Sequence, residues 1–368
     1  MTVADAASIP ALTHADYTSM EVFEAEIERL FRRRWLYVCH LSDLPETGSF
    51  RQFRLGGDSV VVVRQPDGGV AAVHNVCRHR GAPLLDADSG TCRRAISCSY
   101  HGWTYGLDGA LRGTPKMPGD IDTSQLGLRR AGADVWNGLV FVCLDGQPAE
   151  TVAQQLAAVD LSAYGLSRTK VAFESETVLQ ANWKVGWENG LECYHCAINH
   201  PELKQVAEIE RNGPPPTMLE SAEFKFDTEF PVYGVSVTTS GQVEGKQLGE
   251  GPDLPSTVAF LSWHLSVFEL IASPDHVHLM TYMPLTPSTT LLRTVGLVHE
   301  DAEAGVDYDP VKLFEVHRIT RDQDNALCEL VQRGVQSPAF VPGPFNPMYE
   351  FENMSFVTLY REVMGGAD

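Results

Sequence analysis

Positive charge is scarce in this chain of 368 residues: 28 Lys and Arg stand against 48 Asp and Glu, for a formal net charge of -20. A nucleic-acid backbone or an anionic membrane surface needs a basic face, so neither is expected as a partner. Long hydrophobic runs are missing too. No stretch approaches the roughly 18 consecutive apolar residues of a membrane span, and residues 1–17 lack the basic and apolar segments of an export signal, so a cytoplasmic location is expected. There is no Gly-rich dinucleotide fingerprint, no internal repeat and no long linker between domains. Eight cysteines in a long chain without an export signal do not suggest a disulfide framework, which turns attention to ligand spacing. Cys39, Cys92, Cys143 and Cys328 stand apart or inside apolar runs and read as small buried hydrophobes. What is present, 43% hydrophobic residues, is enough for a sizeable core and about two domains.

Residues 20–35 put Val22, Phe23, Ile27, Leu30 and Phe31 at helical spacing, which predicts an amphipathic helix. Between 45 and 150, short β-rich runs (50–55, 59–64, 70–75, 139–144) alternate with Gly-Gly, Asp-Gly and Pro turns, the pattern of a small antiparallel β domain. From 151 to 368 the patterns mix. A helix-like segment lies near 181–200, strands lie near 257–272, 276–283 and 290–298, and a long helix runs from about 310 to 333, with Asp309 as its cap, Pro310 in its first turn and Gly334 past its end. The expected fold class is α+β, in three parts: an N-terminal helical segment (1–44) packing on the C-terminal domain, a β domain (45–150) and a larger mixed domain (151–368). Residues 238–254, rich in Gly and polar side chains, read either as a surface connection or as a lid over a pocket.

Cys77-Arg78-His79 and, eighteen residues later, Cys98-Ser99-Tyr100-His101 set two Cys and two His in two short clusters inside the β domain. Each cluster offers one thiolate and one imidazole, so two facing loop tips can present Cys₂ to one iron and His₂ to another, as in Rieske [2Fe–2S] centres. A structural Cys₂His₂ zinc would use the same atoms, but it usually groups its cysteines in one knuckle and its histidines in the other, whereas here each knuckle is mixed. Gly81, Pro83, Gly102 and Trp103 flank the loops and suit tight turns and an apolar cover.

A second constellation occupies 182–203, where His195 and His200 stand beside Glu188 and Glu192. Five residues on an ideal helix turn two side chains about 140° apart, so both reach one ion only where the helix distorts or ends. Pro201 supplies a reason, because it biases His200 away from helical geometry. Iron held by two His takes one carboxylate and keeps positions open for O₂. The long helix near 310–333 offers Asp322 and Asp324. Leu327 and Val331 follow Asp324 as an apolar stripe, while Asp322 shares its face with Arg318, Asn325 and Glu329, which makes Asp324 the expected third ligand.

The runs Cys-Arg-His-Arg-Gly-Ala-Pro-Leu (77–84) and Cys-Ser-Tyr-His-Gly-Trp-Thr-Tyr (98–105) resemble the cluster-binding signature of Rieske non-haem iron oxygenases, and 182–200 is similar to their mononuclear iron motif. The resemblance implies that Cys77, His79, Cys98 and His101 hold a [2Fe–2S] cluster, that His195, His200 and Asp324 hold Fe(II), and that Glu192 relays electrons between subunits. It further implies a small β Rieske domain and a helix-grip-like catalytic domain with an antiparallel sheet and a long C-terminal helix. A head-to-tail homotrimer, O₂ as co-substrate and electrons from NAD(P)H through a separate reductase or ferredoxin belong to the same implication. Gly190 departs from the pattern, since many relatives carry a bulky aromatic there. Segments 192–196, 199–203, 305–309 and 337–345 most resemble the branch acting on quaternary ammonium compounds such as glycine betaine, which implies oxidative N-demethylation with loss of formaldehyde. A trimethylammonium group favours an aromatic cage. Tyr233, Phe260, Trp263, Phe268 and Tyr282 are candidates for it, each also readable as ordinary strand packing. Two other readings are a Rieske hydroxylase of an aromatic or biosynthetic small molecule, and a non-enzymatic electron carrier holding only the cluster.

Overall fold

The computed structural model describes residues 11–365 apart from 119–121, 158, 208–227, 230–231, 251–252, 254, 256 and 263–266. The chain divides into two compact units, Phe31–Leu156 and the combination of Met1–Leu30 with Ala157–Asp368. No helix among the described residues is long and apolar enough to cross a membrane.

The first unit is all β in its regular structure, apart from short turns. Strands β1 (Leu36–His40), β2 (Ser49–Leu55), β3 (Asp58–Arg64), β4 (Val70–His74), β5 (Ser89–Thr91), β9 (Arg130–Trp136) and β10 (Leu139–Cys143) form an antiparallel sheet in the order β1-β10-β9-β4-β3-β2-β5. Its centre is branched and apolar: Val60, Val61, Val62 and Val63 are all buried, and such side chains pack well on a pleated surface. The β2–β3 hairpin turns on Gly56 and Gly57, both at positive φ, as the tight turn that matches strand twist requires. A smaller ladder of β6 (Ile96–Ser97), β7 (Thr104–Tyr105) and β8 (Leu111–Gly113) carries the second Cys/His loop between its first two strands.

The second unit is built on six antiparallel strands in the order β11-β16-β15-β14-β13-β12, namely β11 (Thr169–Leu179), β12 (Thr228–Glu229), β13 (Val258–Ser262), β14 (Phe268–Ala272), β15 (Val277–Thr286) and β16 (Thr289–His299). Its longer helices are α1 (Met20–Arg29), α2 (Trp183–Gly190), α4 (Glu315–Val335) and α5 (Phe351–Gly365), and among its short ones is α3 (Cys196–Asn199). A buried charge ties three of them together. Glu26 of α1 forms an ion pair with Lys184 of α2, and both side chains are all but fully buried. The same carboxylate accepts from Trp183 Nε1 at 2.8 Å and from the Tyr360 hydroxyl of α5 at 2.6 Å. The Lys184 ammonium also lies 4.9 Å from the Trp183 ring and 5.5 Å from the Tyr360 ring. The pair fixes the entry of α2, the helix that leads to His195.

Several elements differ from their sequence expectation. The helix expected over 20–35 stops at Arg29, and after a tight turn at Phe31–Arg33 the apolar run Leu36–Cys39 becomes β1, buried along its whole length. β11 has no clear apolar alternation, because Lys170, Glu174, Glu176 and Thr177 leave most of it only partly covered. The long C-terminal helix is interrupted at Phe314, whose ring packs edge-on against Phe173 (4.7 Å) and His276 (5.0 Å), and it runs through Gly334 to Val335 instead of stopping before it. Asp309 does cap the preceding turn, accepting from Val311 N and Lys312 N. The described part of 238–254 is tied down: the Asp275 carboxylate accepts from Glu244 N (2.7 Å) and Gly245 N (3.0 Å), and Leu248 is 2% exposed.

Replacing Glu26 by Ala strands the Lys184 ammonium in the interior. The expected cost is about 3–5 kcal/mol, measured by urea unfolding followed through Trp fluorescence; a loss below about 1 kcal/mol, the range of an exposed pair, would show that the pair does not hold these helices.

Candidate metal centres

The two Cys/His loops of the first unit share one hydrogen-bond plan. Cys77 N donates to Ala82 O (2.9 Å) and Gly81 N to Cys77 O (2.9 Å); Cys98 N donates to Trp103 O (2.8 Å) and Gly102 N to Cys98 O (3.0 Å). Each loop turns on a glycine four residues after its cysteine, Gly81 at φ 76° and Gly102 at φ 72°, a backbone region open mainly to glycine. The cysteines sit in a core with Leu84, Ile96, Trp103 and Tyr105, whereas His101 is exposed and His79 half-buried. Their Nδ1 atoms face each other at 3.1 Å, and Trp103 stacks on the His79 ring at 4.8 Å. Burial alone would raise the Cys77 thiol, but the Tyr105 hydroxyl 3.3 Å from its sulfur and the amides of His79 and Arg80 outweigh it and hold the pKa below the usual value. That favours the thiolate, the form that binds metal. Two thiols in the core and two imidazole nitrogens at its rim suit an iron at each end of a dinuclear cluster.

In the second unit, α2 ends at Gly190 and the chain turns before α3. His195 directly precedes α3, and His200 closes it at φ -119°, ψ 70°, outside the helical region as Pro201 requires. The break brings the rings to 5.1 Å, at 78° to each other. His195 Nε2 lies 3.1 Å and His200 Nε2 3.0 Å from the same atom, Asp324 Oδ1. Both rings are held from behind. His195 Nδ1 is 2.6 Å from Glu192 Oε1, and His200 Nδ1 is 2.9 Å from Gln323 Oε1, whose amide nitrogen donates to Glu202 Oε2 at 2.7 Å. Acceptors at both Nδ1 atoms keep protons there and leave the Nε2 lone pairs free. His200 Nε2 is buried without a hydrogen-bond partner, so its approach to Asp324 is not a hydrogen bond, and a metal ion would satisfy it.

Charge agrees with that assignment of donors. Burial would lower the His195 pKa, but Asp324 and Glu192 outweigh it and hold it up at about 10; burial would raise Asp324, but the two histidines hold it below the usual carboxylate value. Cys196 is also near, with its Sγ 3.9 Å from His195 Nε2, and forms with His195 and His200 a trio whose donor atoms lie within 4.8 Å. Its hydrogen bond with Cys193 and its burial push the thiol far above its ordinary pKa. Both favour its neutral form, which leaves Asp324 as the candidate anionic donor of the site. Asp324 faces inward for a different reason from the apolar stripe through Val331, which is 49% exposed. The buried face of α4 runs through Val316, His317, Cys328, Gln332 and Val335, and Asp324 stands one turn before Cys328. Asp322 is half-exposed and pairs with Arg318 (3.3 Å) and Arg321 (2.9 Å).

A cavity of about 120 Å³ opens beside these donors, lined on the helix side by His317, Thr320 and Asp324 and on the sheet side by Glu269, His278 and Tyr282. Burial and the neighbouring Asp324 raise Glu269 to about 7, against the hydrogen bond from the Tyr282 hydroxyl at 3.3 Å. Among the expected aromatic candidates, Tyr282 lines the cavity. Phe268, next to Glu269 in β14, is turned to the opposite face and is fully buried, and Tyr233 is 67% exposed away from the cavity. Trp263 and the side chain of Phe260 lie outside the described residues. Glu188 accepts from the Tyr17 hydroxyl at 2.8 Å and does not line the cavity. Glu269, His278, His317 and Gln323 went unnoticed in the sequence; the one available signal was the alternation His278, Met280, Tyr282 along β15.

Changing Gln323 to Leu frees the His200 tautomer without removing a donor. Iron affinity is expected to fall about 10–100-fold, as measured by competition with a chelator, while the visible spectrum of the cluster stays unchanged. Iron and protons also compete at His195. With its pKa raised from 6.5 to about 10 in the iron-free site, His195 stabilises that form fully below pH 6.5 and loses the contribution as pH rises through about 10. Titrating iron-free protein with a ferrous salt at pH 7 should therefore release a proton, and affinity should grow with pH.

Residues 34–127 match the Rieske [2Fe-2S] domain, and residues 166–366 match the ring hydroxylating alpha subunit (catalytic domain). The chain is 35% identical to the glycine betaine monooxygenase oxygenase subunit of Chromohalobacter salexigens, over 95% of this chain and 84% of that protein. It is 33% identical to the protein of that name from Pseudomonas aeruginosa, over 95% and 87%. A solved structure of the quaternary ammonium Rieske monooxygenase CntA with L-carnitine shares the fold, with a TM-score of 0.77 at 24% identity over 98% of this chain and 97% of that one. Two domains of these kinds on one polypeptide place the chain in the ring-hydroxylating alpha-subunit family: it is the oxygenase subunit of a Rieske non-haem iron oxygenase, a class that uses a [2Fe–2S] cluster and a mononuclear iron.

Proposed function

We propose that this oxygenase removes an N-methyl group from a small quaternary ammonium compound, with Cys77, His79, Cys98 and His101 as cluster ligands and His195, His200 and Asp324 as ligands of the mononuclear iron. The observation that carries the reading is the cavity of about 120 Å³ ending on the two histidines and Asp324. It is well below the roughly 300–1,000 Å³ of sites for drug-sized ligands, and it has polar groups on both walls, as a small charged substrate needs. The names of the glycine betaine monooxygenase relatives support the same class.

The mononuclear iron supplies the place where O₂ is reduced, with electrons that reach it by way of the cluster. The protein's own groups then have limited tasks. His195, His200 and Asp324 would hold the ion, and the cavity beside them would give O₂ and substrate access to it. Glu192 holds the His195 Nδ1 proton and so aims its Nε2; Gln323 does the same for His200. In the overall reaction one C–H bond of a methyl group becomes C–OH, the second oxygen atom leaves as water after taking up two electrons and two protons, and the hydroxymethylammonium ion loses formaldehyde and a proton to give the tertiary amine. A separate reductase or ferredoxin provides the electrons. In a head-to-tail homotrimer, Glu192 would relay them from the neighbouring subunit's cluster to this chain's iron.

With a generic ferredoxin and reductase, the holoenzyme is expected to release formaldehyde from glycine betaine or a close methylammonium relative in step with O₂ uptake; none from any methylammonium compound would favour a hydroxylase of another small molecule. Asp324→Ala should lose mononuclear iron and turnover while keeping the cluster spectrum. Glu192→Gln should keep both metals but slow cluster oxidation in a single turnover, and an unchanged rate would remove Glu192 from the electron path.

A further inference from the structure

The preceding reading leaves open how the cavity recognises a cation that cannot donate ordinary hydrogen bonds. We infer that Glu269 receives the quaternary ammonium and that His278 and Thr320 receive a carboxylate at the other end, so that the cavity selects short zwitterions; this rests on the quaternary ammonium reading and deepens it.

Strand register sets the two ends. β14 pairs with β15 so that Glu269 stands opposite Met280 and Ile271 opposite His278. Residues two apart in a strand share a face, and Glu269, Ile271, His278, Met280 and Tyr282 all line the cavity. His278 is thus displaced about 7 Å along the sheet from Glu269. On the helix side, His317, Thr320 and Asp324 follow one another along one face of α4 over about 10 Å. Asp324 acts electrostatically on both Glu269 and Tyr282, which marks the iron end, while His278 stacks on His317 at 4.3 Å, which marks the far end.

At the iron end a carboxyl group lacks a counterpart for its charged form. The Glu269 carboxylate has one hydrogen bond, from Tyr282, and no Lys, Arg or His among the described residues pairs with it. A carboxylate kept from water without a cation is costly, and a substrate cation would offset that cost. There is also room for it. A Cβ at Gly190 would already lie 3.3 Å from the Tyr282 hydroxyl and 3.6 Å from Glu269 Oε2, so a bulky side chain there would close this end of the cavity and glycine keeps it open. Among the described lining residues Tyr282 is the one Phe, Tyr or Trp.

At the far end the unmet groups are neutral or positive. His278 is 4% exposed, and its Nδ1 is buried without a hydrogen-bond partner, as is Thr320 Oγ1. Arg321 lines the same cavity, with its guanidinium paired to Asp322 at 2.9 Å. The Thr320 hydroxyl, and a His278 imidazole that carries its proton on Nδ1, would complete their hydrogen bonds on a carboxylate.

Two ligands of one shape separate charge from fit: glycine betaine and 3,3-dimethylbutanoate, in which carbon replaces the nitrogen. Binding to the oxidised holoenzyme is measured by equilibrium dialysis, with iron and cluster content as controls. Wild-type protein should prefer glycine betaine. Glu269→Gln should weaken glycine betaine roughly tenfold or more and leave 3,3-dimethylbutanoate nearly unchanged, while Glu269→Asp keeps part of the preference. An unaltered ratio in Glu269→Gln overturns the inference but not the demethylase reading, as does a wild type that binds both ligands alike yet releases formaldehyde. A wild type with no affinity for glycine betaine and no formaldehyde from any methylammonium compound sinks both. Should Glu269→Gln not fold, Thr320→Val decides: it should weaken both carboxylate ligands several-fold and leave tetramethylammonium unaffected, and no effect on either carboxylate overturns the inference.

Discussion

One oxygen atom of Asp324 stands about 3 Å from an imidazole nitrogen of each of two histidines, and the catalytic unit is organised around that convergence. Three donors at such range repel or hydrogen-bond one another unless each is aimed by something else, and each is. Glu192 and Gln323 take the far protons of the two rings. Asp324 is delivered by a helix whose buried face passes through it. The histidines meet because the helix before them stops at Gly190 and the short one between them ends at His200. The buried Glu26–Lys184 pair, with its Trp183 and Tyr360 partners, holds the start of that broken segment. An ion pair so deep is not cheap, but it allows only one placement of the helix that carries it.

The cluster loops solve a related problem with other means. They need no helix, because two turns of the same construction, each closed by a glycine at positive φ, set a thiol inward and an imidazole outward. Tyr105 reaches from the adjoining ladder to the Cys77 sulfur, so the unit's core and its metal donors are one structure. Burying the sulfurs while keeping the imidazoles near solvent gives the two ends of a cluster different surroundings, and hydrogen bonds and exposure are among the levers on its potential.

Both donor sets were legible in the sequence because their information is local. Cys-x-His with Cys-x-x-His, and two histidines five apart before a proline, state which atoms meet within a few residues. The strands Ser49–Leu55 and Asp58–Arg64 were legible because turn residues bound them closely on both sides. Leu36–His40 was not, since its short apolar run follows a helical segment with no turn signal between, and Thr169–Leu179 was not, since a half-covered strand rich in charge gives no alternation. Asp324 came out inward, though from a stripe in which Val331 proved to be exposed; the helix phase was off by one residue and the two candidates were still told apart.

By itself the sequence determined the candidate donor sets, the class of metal each suits and the α+β character, all consequences of residue type at short spacing. Only the tertiary structure decided which acceptors face the far nitrogens of the two histidines, that Cys196 lies buried beside them, and that Glu269 and His278 share a cavity wall. Those facts depend on helix phase and strand register across long separations, where a slip of one residue turns a side chain from the cavity to the core.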